Sequence, residues 1–327
     1  MTGSDPHEPV PRLPRHAKDA GQERFLSELN DWIARMPIDE SVSASAAALP
    51  LVYVVGAPRS GTTLASQLLA KYLDVGYIDN LIARFWRRPI VGIRLSQICL
   101  GAEARRSISL QSTYGVTAGL AGPHEFGYFW RYWFDLDHAA THHLTPAELE
   151  RVDTDGLGRV LRHELLGGFD RPTVFKNVIC GFQARLLSRV HANTLFIHVT
   201  RDPMATAGSI LAARLARYGT HNAWWSLKPG TFDTISRIAE PAAQVARQVL
   251  DCRAELAEEL ASPGVHAITI GYETLCQHPD AQLERVCEAV RQLGGDLRPL
   301  SAVEPLEPSS GPNLPRDLHD ALTAAFA

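Results

Sequence analysis

Every residue of the segment 51–55, Leu-Val-Tyr-Val-Val, is hydrophobic. A run this short and continuous predicts a strand covered on both faces of a parallel sheet. Similar runs follow at 173–175, 194–200 and 265–270, with a weaker fifth at 75–78. The segments between them, 62–73, 181–190, 204–218 and 238–260, carry helical spacing, and in the last Val245, Val249, Leu256 and Leu260 recur on one face. Strands alternating with helices predict an α/β fold. Ahead of this core, residues 1–20 hold four prolines and no apolar run, which predicts a disordered arm. From Gly21 a helical period starts, with Phe25, Leu29, Trp32, Ile33 and Met36 as its expected buried face, and 41–48 reads as a small-residue linker.

One interval breaks the alternation. Residues 79–169 form a long, mostly helical insertion rich in aromatics, within which Thr145, Pro146 and Glu148 have the form of N-cap, first helical position and acidic third position. An insertion of this size is expected to shape a substrate pocket. The chain as a whole reads as one domain over 21–327 without internal repeats. With 327 residues, 45% of them hydrophobic, it can bury a core without metal or disulfide staples. Its 32 Lys plus Arg against 36 Asp plus Glu exclude a globally basic nucleic-acid coat. Five cysteines at irregular spacing, with no C-x-x-C pair, suggest packing thiols in a reducing compartment. The absence of a signal segment or a span-length apolar run adds the expectation of a cytoplasmic protein, and a homodimer stays open as an assembly.

The most specific chemistry is in Gly56-Ala57-Pro58-Arg59-Ser60-Gly61-Thr62-Thr63, between the first strand and a helix. Glycines permit the tight turn, and backbone N–H groups with the positive end of the helix dipole form an anion cradle. Walker A has Lys where Thr62 stands here, so this loop is poorly suited to a γ-phosphate and well suited to a single 5′-phosphate beside Arg59. A second anion site follows the strand 194–200: Arg201 at its C-terminal edge, then Asp202-Pro203, with Ser209 about two turns into the next helix.

Together these segments resemble the PAPS-dependent sulfotransferases, whose donor is 3′-phosphoadenosine 5′-phosphosulfate. The family has a P-R-S-G-T-T loop for the 5′-phosphosulfate, and an Arg with a Ser eight residues later for the 3′-phosphate. The stretch 268–275, Ile-Thr-Ile-Gly-Tyr-Glu-Thr-Leu, also looks like the family's last strand and the Y-E-x-L segment after it. The resemblance covers roughly 51–293. It implies a three-layer P-loop fold around a mostly parallel five-stranded sheet, and transfer of a sulfuryl group from PAPS to a hydroxyl of a small-molecule, lipid or glycan acceptor. The product is adenosine 3′,5′-bisphosphate, and no metal is needed. Pro58, Arg59, Ser60, Gly61, Thr62, Thr63, Arg201 and Ser209 are the implied donor contacts. Many relatives have Lys where Arg59 stands, and their glycine-rich closing loop has only a loose counterpart around Ser309-Ser310-Gly311-Pro312-Asn313, from which Ser310 and Asn313 are assigned to the donor.

Sulfuryl transfer needs a base and positive charge on the oxygens as charge develops. Arg59 and Lys176, the latter at the end of a strand, are the candidate cations. His124 and Glu125 lie where a loop turns into an aromatic helix, in a P-H-E-F-G-x-F-W stretch similar to some bacterial sulfotransferases. His124 is the favoured base, with Glu125 its orienting partner or the base itself. His138, His142 and His143 lack a further ligand at zinc spacing. Six arginines at 84, 87, 88, 94, 105 and 106 read as a solvated helical face, with an anionic acceptor or a membrane surface as the alternative. Trp86, Trp130, Trp224 and Trp225 suit either an acceptor pocket or the core. The runner-up activity, a small-molecule kinase, is disfavoured by Thr62 and by the lack of an obvious Walker-B acid. A non-catalytic nucleotide-binding module would keep both phosphate sites and lose His124 and Glu125.

Overall fold

The computed structural model describes residues 10–39, 41 and 43–327. Five strands form one sheet: β1 (Leu51–Val55), β2 (Gly76–Tyr77), β5 (Thr173–Lys176), β6 (Thr194–Thr200) and β7 (His266–Gly271). Their order is β2-β5-β1-β6-β7, and every pairing is parallel rather than mostly so. β3 (Ser112–Thr113) and β4 (Val116–Thr117) make a separate antiparallel hairpin within the insertion. Leu51 is in register with both Thr173 and Thr194, so the C-terminal ends of β1, β5 and β6 share one edge of the sheet. From β1 the chain winds outward to β2 on one side, and from β6 to β7 on the other, so the loop after β1 lies where the winding reverses. Open α/β sheets bind ligands at such a crevice.

All five side chains of β1 are buried, and they alternate between two cores. Val52 and Val54 meet Ala65, Leu68 and Leu69 from the helix Thr62–Tyr72. Leu51, Tyr53 and Val55 face the insertion. The Tyr53 ring lies between Phe175 and Phe196, with centroids 5.2 and 5.3 Å away, and Trp130 of the insertion tilts against it at 5.6 Å. Trp130 is therefore a core residue, and the insertion shares its apolar interior with the sheet. The capping box predicted at Thr145 and Glu148 is formed.

Two expectations change. The first helix, Ala20–Ile33, buries Asn30 and Ile33, whereas Phe25 and Trp32 of the expected apolar face are 63% and 68% exposed. Asn30 accounts for the rotation. Its amide donates to the Arg84 carbonyl at 2.8 Å and accepts from the Arg87 N–H at 2.9 Å, satisfying polar backbone that would otherwise be unpaired. The arginines of 84–106 are not uniformly solvated either. Arg88 is buried against Glu164 at 3.0 Å, and Arg105 donates to the carbonyls of Ala70, Leu73 and Val75.

Residues 1–9 of the expected arm lie outside the described residues. From there the chain lies against the body, with the Leu13 N–H donating to the Arg217 carbonyl at 2.8 Å. No helix among the described residues is long and apolar enough to cross a membrane.

Candidate functional site

A cavity of about 1580 Å³ opens over the C-terminal edge of the sheet. The loop after β1 forms its floor, and its glycines are there for room. A Cβ at Gly56 would stand 2.5 Å from the Val199 carbonyl oxygen, and one at Gly61, where φ is +99°, would stand 2.4 Å from the Tyr272 ring. Gly61 opens the helix Thr62–Tyr72 without a side-chain cap, so the N–H groups of its first turn are left for a ligand. Pro58, Arg59, Gly61, Thr62 and Thr63 line the cavity. Ser60 does not; its hydroxyl lies back over Gly56, buried and with no partner among the described residues.

The two anion sites read from the sequence meet here. Arg59, held in a left-handed conformation at φ +69°, donates from Nε to the Ser209 hydroxyl at 2.9 Å across 150 residues of chain. Arg201 donates from Nη1 to the Arg59 carbonyl at 3.3 Å and from Nη2 to the Ser309 carbonyl. Its Nε is buried with no partner among the described residues. Thr200 and Gly271 are in register, which sets Arg201 beside Tyr272, its guanidinium 4.5 Å from the ring centroid. Burial lowers the Arg59 pKa and the neighbouring Arg201 charge adds to it.

Lys176 ends β5 with its side chain 6% exposed and pairs with Glu125, which is 47% exposed into the cavity. The 123–126 loop is pinned from several sides. The His124 N–H donates to the Ile78 carbonyl just past β2 at 2.8 Å, and the Asn177 amide donates to the Glu125 carbonyl at 3.0 Å. Phe126 adopts φ +55°, and its N–H donates to Nδ1 of His124 at 2.8 Å. Enclosure pushes the Glu125 carboxyl up, but the charge and hydrogen bond of Lys176, joined by His124, outweigh it and leave the carboxyl below its ordinary range. Desolvation lowers the His124 imidazole, and Lys176, Arg84 and Lys18 lower it further against the pull of Glu125. Near neutral pH the pair is thus a carboxylate beside a neutral imidazole.

Several contributors carried no role in the sequence. At the tip of the β3–β4 hairpin, Tyr114 and Gly115 have φ of +49° and +88°, the signature of a type I′ turn. A Cβ at Gly115 would lie 3.4 Å from Glu125 Oε1, 3.8 Å from Thr63 Oγ1 and 4.0 Å from Lys176 Nζ, so this tip roofs the Lys176–Glu125 pair. The Tyr114 ring lies 5.6 Å from the Arg59 guanidinium carbon. The Tyr-Gly pair between short β-prone segments was the available signal. Tyr272 accepts the Ser309 N–H at 3.0 Å and supports the C-terminal loop. Ser309, Gly311 and Pro312 of that loop line the cavity, whereas Ser310 and Asn313 are exposed outside its lining. Trp86 and Trp225 line the cavity and Trp224 does not.

The histidines considered for zinc each have other engagements. His138 pairs with Asp135, His142 accepts the Lys228 N–H at 2.9 Å, and His143 pairs with Glu255 at 2.7 Å.

A family model described as "Sulfotransferase family" matches residues 50–292. No curated protein matches the sequence. Among solved structures, sulfotransferase STF9 from Mycobacterium avium aligns with a TM-score of 0.43 and 13% identity, covering 93% of this chain and 71% of that one. Sulfotransferase STF1 from Mycobacterium tuberculosis aligns with a TM-score of 0.42 and 14% identity, covering 93% of this chain and 78% of that one.

Proposed function

The chain belongs to the sulfotransferase family, and on that premise we propose that it transfers a sulfuryl group from PAPS to a hydroxyl of a small-molecule, lipid or glycan acceptor. The observation that carries this reading is the hydrogen bond from Arg59 to Ser209, made beside Arg201 and within the same cavity as the Lys176–Glu125 pair. It joins an anion cradle for a 5′-phosphosulfate to a second cation and hydroxyl for a 3′-phosphate. The unpartnered Arg201 Nε and the open first turn at Thr62 and Thr63 fit a ligand with two separated phosphates.

PAPS, when bound, supplies the sulfuryl group, its sulfur–oxygen bond to the 5′-phosphate breaking as the acceptor oxygen bonds to sulfur. Arg59 and Lys176 stabilise the charge that develops on the leaving and equatorial oxygens. Glu125, already ionised, takes the acceptor proton. His124 has a different part. Because Nδ1 accepts the Phe126 N–H, the neutral ring carries its proton on Nε2 and acts as a hydrogen-bond donor that orients the acceptor. The hairpin tip at Gly115 limits the water that could compete for sulfur.

Thermal shift tests the donor. Adenosine 3′,5′-bisphosphate should stabilise the protein more than ATP with Mg²⁺, and the opposite order would sink the proposal in favour of a kinase. Incubation with PAPS and hydroxylated extracts, followed by a search for a sulfate mass gain, tests the transfer.

A further inference from the structure

On the sulfotransferase reading above, we infer that the acceptor is a ring compound carrying a negatively charged group of its own, held by the Trp86 and Tyr128 rings and the Arg84 guanidinium. The same cavity is also lined by Leu26, Trp86, Leu120 and Tyr128, from the first helix and the insertion. The Trp86 and Tyr128 rings lie 4.8 Å apart and inclined by 36°, with the Lys18 ammonium 4.4 Å from the Tyr128 centroid, so a ring of the acceptor would meet this pair from the Trp86 side or at its edge.

The charges on this wall do not balance. Lys18 is engaged by Glu23 at 3.2 Å and by the Tyr128 hydroxyl, and Arg131 pairs with Asp137. Glu125 is neutralised by Lys176. Arg84 lines the cavity, is exposed, and has no acidic partner among the described residues. Its backbone is held by Asn30, so its position is built into the fold. It is near enough to His124 to act on that imidazole electrostatically, which sets its charge at the reacting end of the wall. A neutral acceptor would gain at most an ordinary hydrogen bond from this cation. An anionic one would otherwise be repelled by the polyanionic donor, and Arg84 offsets that repulsion.

The experiment measures binding to protein saturated with adenosine 3′,5′-bisphosphate. Titration calorimetry compares 4-nitrophenyl β-D-glucuronide with 4-nitrophenyl β-D-glucoside, two ring compounds that differ in one carboxylate. The glucuronide should bind about fivefold more tightly at low salt, a preference that narrows as salt rises. Arg84→Gln should abolish the preference while leaving bisphosphate affinity and thermal midpoint unchanged. Equal affinities, a preference for the glucoside, no binding of either probe, or a preference that survives Arg84→Gln would each overturn the inference. Failure of the bisphosphate itself to bind would instead remove the donor reading, and the acceptor inference with it.

Discussion

The two walls of the cavity are built by different means. The donor wall comes from short stretches at the ends of adjacent strands: residues 56–63 after β1, Arg201 to Ser209 after β6, and Tyr272 after β7. The opposite wall is assembled from Lys18 to Leu26, Asn80 to Trp86, the β3–β4 hairpin and the 123–128 segment, none of which belongs to the sheet. The proposed donor wall thus rests on the ends of regular elements, tied together by the Arg59–Ser209 and Arg201–Arg59 hydrogen bonds. The opposite wall rests on side-chain contacts that fasten irregular segments to the core.

The sharpest test of that division is at the junction of the walls. Glu125→Gln should lower kcat by about 10²–10⁴ while changing the affinity for adenosine 3′,5′-bisphosphate little. His124→Gln should cost about tenfold or less, and steady-state kinetics showing the larger loss at His124 would move the proton-accepting role there. Because the Lys176 charge holds the Glu125 carboxyl below its ordinary range, kcat/KM should stay level as pH falls through 6 and decline only in more acidic solution.

Arg88→Ala attacks the acceptor side through its anchor. Removing one member of the buried Arg88–Glu164 pair should destabilise the protein by about 3–5 kcal/mol in urea unfolding. At low temperature, where the variant is folded, bisphosphate affinity should be retained. Loss of both together would show that the walls are not separable.

Arg201→Ala makes the reciprocal cut. The 3′-phosphorylated nucleotide should lose about 1.5–3 kcal/mol of binding, whereas adenosine 5′-phosphate should be affected far less. Isothermal titration of the two nucleotides distinguishes a 3′-phosphate contact from general loss of positive charge.

The smallest effect concerns His143, which ties the insertion to Glu255 and Glu259 of the helix Pro241–Leu260. These hydrogen bonds raise its pKa to about 9. A raised pKa contributes stability that is complete below the unfolded value of about 6.5 and is lost as pH rises through 9. The thermal midpoint should therefore fall over that window by an amount equivalent to roughly 1–3 kcal/mol, and His143→Ala should flatten the profile.

Much of the donor wall was legible along the chain. The valine-rich run at 51–55, the glycines at 56 and 61 and the apolar helix face beginning at Leu64 each follow local rules, and each is where those rules put it. The weak run at 75–78 became β2, a two-residue edge strand paired with β5 alone. The helix Ala20–Ile33 was legible as a helix but not in its orientation. Its apolar stripe is wider than the surface it meets, and the hydrogen bonds of Asn30 decided which part was buried. Trp86 and Trp130 looked alike in the sequence, and only packing separated a cavity wall from the core.

The strand, glycine loop and helix of 51–72 follow from the chain alone, since hydrophobic period, glycine freedom and helix polarity act within about ten residues. Only the tertiary structure decided that Arg59 reaches Ser209, that Glu125 is paired with Lys176, and that Arg84 is left without an acidic partner among the described residues. Those contacts join residues far apart in the chain. Their formation depends on closing long loops over a packed core, and no local pattern records how such loops close.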